Sequence, residues 1–348
     1  MPRRKKRKST FSAVLIVFII LAFIVLLVGY KFYLGIFSPN LNPDYVTEHS
    51  VIEIPTESSY EDVLKLLRKD SILLDFRSFK WVAKKMNYPN HVYGGRYPVN
   101  REMNNYDLIR MLRAGENAPF MVTIDKHRTI YDLAGGVSAQ LEIDSAEIVE
   151  HILNKRFLEK HKLNQDNVLS FFVPNTYEFY WNISLKKFFQ RMQKEGDKYW
   201  TEEKIEKASN LRFTKAELYT LASIVQEEAA HESELERIAG VYLNRIRKNM
   251  PLQADPTIKY LIKDRNDQKL YLNDYEIVSP YNTYKNSGLP PGPITMARMS
   301  AMDAVLNAER HDFLYFCAKA DGSGFHEFST NYRQHTNYRN LYLRSKKN

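Results

Sequence analysis

Residues 214–248, TKAELYTLASIVQEEAAHESELERIAGVYLNRIRK, carry two helix starts in close succession. Thr214 with Glu217, and Ser233 with Glu236, each fit the S/T-x-x-E pattern of a capping box. In that pattern two residues satisfy each other's free backbone groups. Two helices are therefore expected to meet between Ala229 and Glu232. In the first, Leu218, Leu221 and Val225 are spaced three and four apart and share one face. Three residues further on, that stripe reaches Glu228 rather than Gln226. Burial and the negative end of the helix dipole both disfavour a charged carboxylate there and raise its pKa. A general acid working near neutrality needs such a shift. Phase and position alone leave a second reading open, a polar residue where the helix frays into solvent. His231-Glu232 opens like a zinc-protease helix, but Leu235 stands where the second histidine belongs, which excludes that route.

Working outward, the N-terminus is unlike the rest. Residues 3–8 are an unbroken basic run, and Phe11 to Tyr30 contains no charged residue. A window of about 20 apolar residues matches the hydrocarbon core of a bilayer. Basic flanks stay on the cytoplasmic side, so the chain after about Phe37 is expected outside. A cleaved signal peptide has a shorter apolar core ending at a small-x-small site. Here the core runs into Tyr30-Lys31-Phe32-Tyr33-Leu34, which favours a retained anchor. The basic run supplies six of the nine excess positive charges, so the remainder gives no argument for nucleic acid. Cys317 is the single cysteine and sits in an apolar run, which suits a small buried hydrophobe. With no second cysteine or Cys/His pairing, the sequence offers neither an intrachain disulfide nor a zinc framework.

Residues 38–47 read as a linker, and the alternation from His49 to Ile54 as a strand. Ser58 and Glu61 form a capping box before a short helix carrying Val63, Leu64, Leu66 and Leu67. A second helix fits Phe76 to Lys85, and Tyr93 to Val99 reads as a strand bounded by glycine and proline. This strand–helix–helix–strand order resembles the LysM-type glycan-binding module. Another helix runs from Tyr106 to Arg113 and stops at Gly115. Residues 120–124 suit a strand, Ala146 to Leu158 a helix, and Phe171 to Tyr177 a loop or edge segment broken by Pro174.

The pattern becomes specific when motifs are read together. Leu221 to Glu228 is followed by Ile238 to Arg247, by Met250-Pro-Leu-Gln-Ala-Asp-Pro-Thr257, by Ser279 to Tyr284, and by Gly288-Leu-Pro-Pro-Gly-Pro-Ile294. A weaker echo lies in Gly324 to Phe328 with Asn331 and His335. In this order they resemble the endolytic murein transglycosylases of the MltG/YceG-like family, over nearly the whole chain. That family's catalytic glutamate closes an Ile-Ile/Val-Glu-x-Glu pattern, which falls on Glu228; Gln226 replaces its first glutamate. Asn175 stands where the family carries an aspartate, and Ala229 where it carries a threonine.

The resemblance implies that Glu228 protonates the oxygen between N-acetylmuramic acid and N-acetylglucosamine, then deprotonates the muramyl C6 hydroxyl as a 1,6-anhydro ring closes. Neither metal nor cofactor is implied. Substrate-binding candidates are Glu234, Gln253, Asp255, Tyr281, Asn282, Thr283 and Tyr284. For Glu234 a plain helix-terminal charge is the competing reading, and for Gln253 and Asp255 an ordinary turn before Pro256. His326 and His335 read as packing or surface histidines ahead of cleft residues. The Gly288–Gly292 segment reads as a stiff cleft wall. Two alternatives stand beside transglycosylation: a hydrolytic muramidase pairing Glu228 with Asp255 or Glu227, and a non-catalytic peptidoglycan-binding scaffold. Implied partners are glycan strands, the bacterial inner membrane and the peptidoglycan synthases. The expected class is α+β, laid out as a basic tail over 1–10, an anchor over 11–35, a linker over 36–47, a LysM-like module over 48–122 and a mixed α+β catalytic domain over 123–345.

Overall fold

The computed structural model describes residues 9–47, 49–263, 265 and 269–346, with side chains from residue 13 onward. The basic run at 3–8 lies outside the described residues. The chain divides into two compact units, the first of residues 1–120 with 180–182, the second of 121–179 with 183–348.

The first unit opens with helix α1 (Ser9–Phe37). Its stretch Ala13–Phe37 is long and apolar enough to cross a membrane, its most apolar 18 residues having mean hydropathy 3.2 and no burial. Strand β1 (Val51–Ile54), helices α2 (Tyr60–Lys69) and α3 (Phe76–Lys85), strand β2 (Gly95–Pro98) and helix α4 (Asn105–Ala114) follow. β1 and β2 are antiparallel, with Val51 opposite Pro98 and Ile54 opposite Gly95. Alternate residues Ile52 and Ile54 point inward with Leu67, Phe79, Tyr88, Tyr97 and Ile109 to form the core. The capping box of α2 belongs to Ser59 and Asp62, one residue later than expected. Ser58 instead donates to the Pro55 carbonyl at 2.7 Å. α4 ends on Gly115, whose φ of +66° is the left-handed conformation that glycine adopts without a Cβ clash.

Residues 38–47 are folded, not a spacer. Leu41 and Val46 are buried, and Leu41 bridges Leu73. Buried Asn40 donates to Asn105 Oδ1 at 2.8 Å and to the Asp75 carbonyl at 3.0 Å, and accepts from the Asp75 N–H at 2.6 Å. An asparagine that can serve two helix starts at once gains more inside than in water. That pins the segment which composition alone reads as a linker.

The second unit begins with strand β3 (Phe120–Ile124), then helices α5 (Ile130–Ser138), α6 (Ser145–Leu153) and α7 (Lys155–His161). Asn154 divides the single helix expected from Ala146 to Leu158. It ends α6 in an extended conformation, and its side chain accepts from the Arg156 N–H to start α7. Strand β4 (Asn175–Phe179) pairs with β3 in a two-stranded sheet, so the expected loop or edge segment over 171–177 is irregular through Pro174 and strand from Asn175. Then come α8 (Leu185–Tyr199), α9 (Glu202–Asn210), α10 (Lys215–Glu228), α11 (Leu235–Arg247), α12 (Asp255–Leu261), α13 (Met299–Leu306), the antiparallel hairpin β5 (Tyr315–Ala318) and β6 (His326–Ser329), and α14 (Tyr332–Ser345).

α10 is the axis of this unit. It starts on the expected Thr214–Glu217 capping box, and α11, α12 and α13 all pack on it. Burial is not confined to the Leu218, Leu221, Val225 stripe; every residue from Leu218 to Gln226 is buried. A helix enclosed on all sides must also satisfy its polar side chains internally. Ser223 accepts from the Ile294 N–H at 3.1 Å, and Gln226 accepts from the Arg298 N–H at 2.7 Å. No capping box forms at Ser233 and Glu236. A 3-10 turn, Glu232–Glu234, leads into α11 without a side-chain cap. Within α11, Gly240 lies where a Cβ would come 2.5 Å from the Glu309 carbonyl, so the helix and that loop meet only because the position is glycine.

Because Leu221 is fully enclosed and Leu272 is 87% exposed, the two leucines are expected to respond oppositely to truncation. Leu221→Ala should cost about 2–5 kcal/mol in chemical denaturation of the full chain, and Leu272→Ala less than about 0.5 kcal/mol. Equal losses would contradict this placement of the core.

Candidate active site

Glu228 is the last residue of α10 and is half-buried. Opposite it, α11 presents Ile238, Tyr242 and Arg245 at spacings of four and three, hence on one face. Tyr242 is 1% exposed and donates its hydroxyl to Glu228 Oε1 at 2.7 Å. It is the one hydrogen bond to that carboxyl among the described residues, and it leaves Oε2 for another partner. Desolvation is the leading influence and drives the carboxyl up to about 7. The Tyr242 hydroxyl works against it, the nearby charge of Asp255 adds to it, and Lys259 and Arg245 oppose it. Tyr242 is itself pushed well above its ordinary range, by burial first and then by Glu228, so it stays a hydroxyl donor.

Arg245 is the second buried group that motif reading did not single out. Its guanidinium donates to the carbonyls of Leu314 at 2.7 Å, Leu252 at 2.7 Å and Pro251 at 3.2 Å. It also reaches Gln253 Oε1 at 3.3 Å. Burial lowers its pKa, and these four oxygens take up its Nε and Nη1 donors. One charge thus ties the turn before α12 to the strand side of the site. The signal for both residues was present in the sequence, since Tyr242 and Arg245 stand three apart on an otherwise apolar helical face.

The expected substrate-binding residues fall into three sets. Gln253, Asp255, Asn282, Thr283 and Tyr284 come together. Gln253 adopts a φ of +52° and donates its N–H to the Thr283 carbonyl at 3.0 Å. Thr283 Oγ1 accepts from the Ala254 N–H at 3.0 Å and meets Thr257 Oγ1 at 2.9 Å. Asn282 is fully buried; it donates to the Tyr275 and Ile277 carbonyls at 2.9 and 2.8 Å and accepts from the Tyr284 N–H at 3.0 Å. The polar groups of Asn282 and Thr283 are therefore spent on shaping the 250–285 segment. Asp255 faces outward from the first turn of α12. It accepts at Oδ1 from the Tyr284 hydroxyl at 2.5 Å and the Tyr275 hydroxyl at 3.2 Å. Burial pushes Tyr275 up to about 12 and Tyr284 higher, with Asp255 reinforcing both.

Tyr281 belongs elsewhere. Its ring lies 4.9 Å from that of Tyr260, and its hydroxyl sits where Gly292 leaves room beside the chain. Glu234 forms the third set. It is 6% exposed, and its carboxylate accepts from the His326 N–H at 3.0 Å while Nδ1 of the same histidine lies 2.8 Å from the other oxygen. His326 packs edge-on against Phe316 at 5.3 Å, and Phe316 edge-on against Tyr242 at 5.8 Å. Glu234 therefore ties β6 to the turn after α10, and reaches the Glu228 partner through two rings. His335 stacks on Tyr315 at 5.4 Å. Glu227 is exposed, and its one hydrogen bond among the described residues is from Gln226 Nε2, at 3.4 Å. Among the described residues, no three His, Cys, Asp or Glu side chains are grouped to hold a metal ion.

Chemically, this is one carboxyl held near neutrality at a helix end, oriented through one oxygen, with an acidic and aromatic wall nearby. Comparison with known proteins bears on what acts there. Residues 52–340 match the YceG-like family. The endolytic murein transglycosylase of Bacillus subtilis (strain 168) is 29% identical over 311 residues, covering 85% of each chain. That of Streptococcus pneumoniae (serotype 2, strain D39) is 28% identical over 310 residues, covering 79% of this chain; the chain spans about half, 54%, of that relative's length. A crystal structure of a YceG-like protein from Listeria monocytogenes, 27% identical, superposes with a TM-score of 0.56 over 83% of this chain and 98% of its own.

The pKa of Glu228 makes a stability prediction with a definite sign. An acid raised from 4.5 to about 7 on folding binds more protons in the folded state across that interval. Folding stability then falls as pH rises through it. Glu228→Gln keeps the hydrogen bond from Tyr242 and removes the charge. Wild type and variant should be equally stable below about pH 4, and the variant more stable by about 3 kcal/mol above about pH 8. Denaturation curves across pH test this; a difference that does not change with pH would contradict it.

Proposed function

This chain belongs to the YceG-like family, and from that membership we propose that it is an endolytic murein transglycosylase acting on the bond between N-acetylmuramic acid and N-acetylglucosamine. The observation that carries the reading is the Glu228 carboxyl, raised to about 7 by burial and fixed through Oε1 by Tyr242. At neutral pH a large fraction is protonated, so Oε2 can deliver a proton to the glycosidic oxygen. The carboxylate left behind is then the base that takes the proton from the muramyl C6 hydroxyl. That hydroxyl attacks C1, the bond to the leaving sugar breaks, and a 1,6-anhydro ring closes. Proton and oxygen balance inside the substrate, so one carboxyl suffices where hydrolysis uses two. Tyr242 keeps the acid in one rotamer for both transfers. Asp255 with Tyr284 and Tyr275 offers an edge for sugar hydroxyls and N-acetyl groups, and Gln253, Asn282 and Thr283 hold that edge in place.

A hydrolytic muramidase is the second reading, and Asp255 is its partner of choice because its charge reaches Glu228. Against it, Oδ1 of Asp255 is already taken by two tyrosine hydroxyls. The remaining assignments extend the same proposal. The βααβ portion of the first unit resembles LysM modules in element order and would bind glycan. Helix α1 would anchor the chain in the bacterial inner membrane with the preceding basic run inside and the chain after it outside. Synthases making nascent strands are the natural partners of an enzyme that cuts them.

The test is mass spectrometry of products from uncrosslinked glycan strands. Wild type should yield 1,6-anhydro-muramyl ends from internal cleavage, and Glu228→Gln should lose at least about 100-fold in rate. Reducing muramyl ends would establish the muramidase instead, and undiminished cleavage by Glu228→Gln would remove that residue from the chemistry.

A further inference from the structure

We propose that the first unit is seated in the outer headgroup layer of the membrane through Trp81 and the residues around it, instead of standing off on a tether. This rests on α1 crossing the bilayer. α1 is one uninterrupted helix, and its last two turns are part of the fold. Its residue Phe32 lies ring to ring with Trp81 of α3 at 5.0 Å, and Phe37 with Tyr106 of α4 at 5.9 Å. The Gly35 carbonyl accepts from Asn105 Nδ2 at 2.8 Å. Depth follows from helix geometry. At a rise of 1.5 Å per residue, Ala13 to Phe32 spans about 28 Å, nearly the roughly 30 Å of hydrocarbon. A side chain touching Phe32 therefore lies at the hydrocarbon–headgroup boundary.

The residues there have the chemistry of that layer. Trp81 is 39% exposed, Tyr106 41% and Leu74 62%, an amphipathic ring set with one aliphatic wedge. Trp and Tyr concentrate at this level because their rings are apolar and their N–H or O–H wants water. Lys31 and Arg77 are exposed and line a cleft of about 430 Å³ with Phe32, Gly35, Ser78 and Trp81. Asp75 also lines this cleft and feels the charge of Arg77, but neither cation forms an ion pair within 4.0 Å among the described residues, and both are long enough to reach lipid phosphates. The occupant is therefore the phospholipid interface of the bilayer that α1 crosses. Because residues 39–42 pair with the backbone just before α3 and α4, at 72–74 and 103–104, no spacer lifts this unit away.

Depth-dependent fluorescence quenching tests the proposal on the full chain in phosphatidylcholine–phosphatidylglycerol vesicles. The chain has three tryptophans, Trp81, Trp181 and Trp200. With a nitroxide at acyl carbon 5, wild type should show a quenched component that Trp81→Phe lacks, and a nitroxide at carbon 12 should quench it less. Equal quenching of wild type and Trp81→Phe would overturn the proposal. A third protein, Phe18→Trp on Trp81→Phe, reports the anchor alone. If its added tryptophan is quenched best at carbon 12 while Trp81 is not quenched, α1 spans and the seat is wrong. If neither is quenched, the membrane-spanning reading itself fails.

Discussion

The arrangement of the second unit turns on one constraint, a carboxyl that must be kept partly withdrawn from water at the end of a helix. α10 is enclosed by α11, α12 and α13, so its final residue cannot swing freely into solvent. The hydrogen bond from Tyr242 selects the orientation of the acid. It also limits how far burial raises the pKa, since a donor to the charged form always pulls the other way. A value near 7 is the balance between these two influences. Without burial the group would be an ordinary carboxylate, and without the tyrosine an acid too weak to give up its proton readily.

Supporting groups extend outward from that pair. Arg245, one turn beyond Tyr242, uses donors on the Pro251, Leu252 and Leu314 carbonyls, so the same helical face that orients the acid also positions the Asp255 wall. Asn282 and Thr283 complete that wall from behind. The Glu234–His326 pair closes the opposite side, with Phe316 transmitting its position to Tyr242 by ring contact. Preorganisation of this kind costs folding stability, because charges are kept where water cannot solvate them.

Much of this was legible in the sequence where the determinants are local. The bounds of α3, Phe76–Lys85, and the Thr214–Glu217 box follow from residues within one turn of each other. Adjacent acceptors defeat the same logic at Ser58 and Ser59, where Asp62 and Glu61 offer equal local chemistry and tertiary fit chooses Ser59. At Ser233 the competing interaction is non-local: the turn is shaped by Glu234 reaching His326, far along the chain. In α8, Phe188, Phe189 and Met192 recur at helical spacing and pack inward. In the site, phase and motif point to Glu228, whereas the sequence signals Tyr242 only as a polar residue on an apolar helical face, because the bond that pairs the two joins separate helices. Asn282 and Thr283 show the limit of residue type. The groups that suit a sugar also suit buried backbone, and only the fold decides between them.

The most direct test of the account is the pH dependence of kcat/KM for cleavage of uncrosslinked strands, which reports the free enzyme's essential acid. The account predicts a rate that falls with a midpoint near pH 7 as Glu228 loses its proton. A fall with a midpoint of about 4 to 5, the range of an ordinary glutamate, would contradict it.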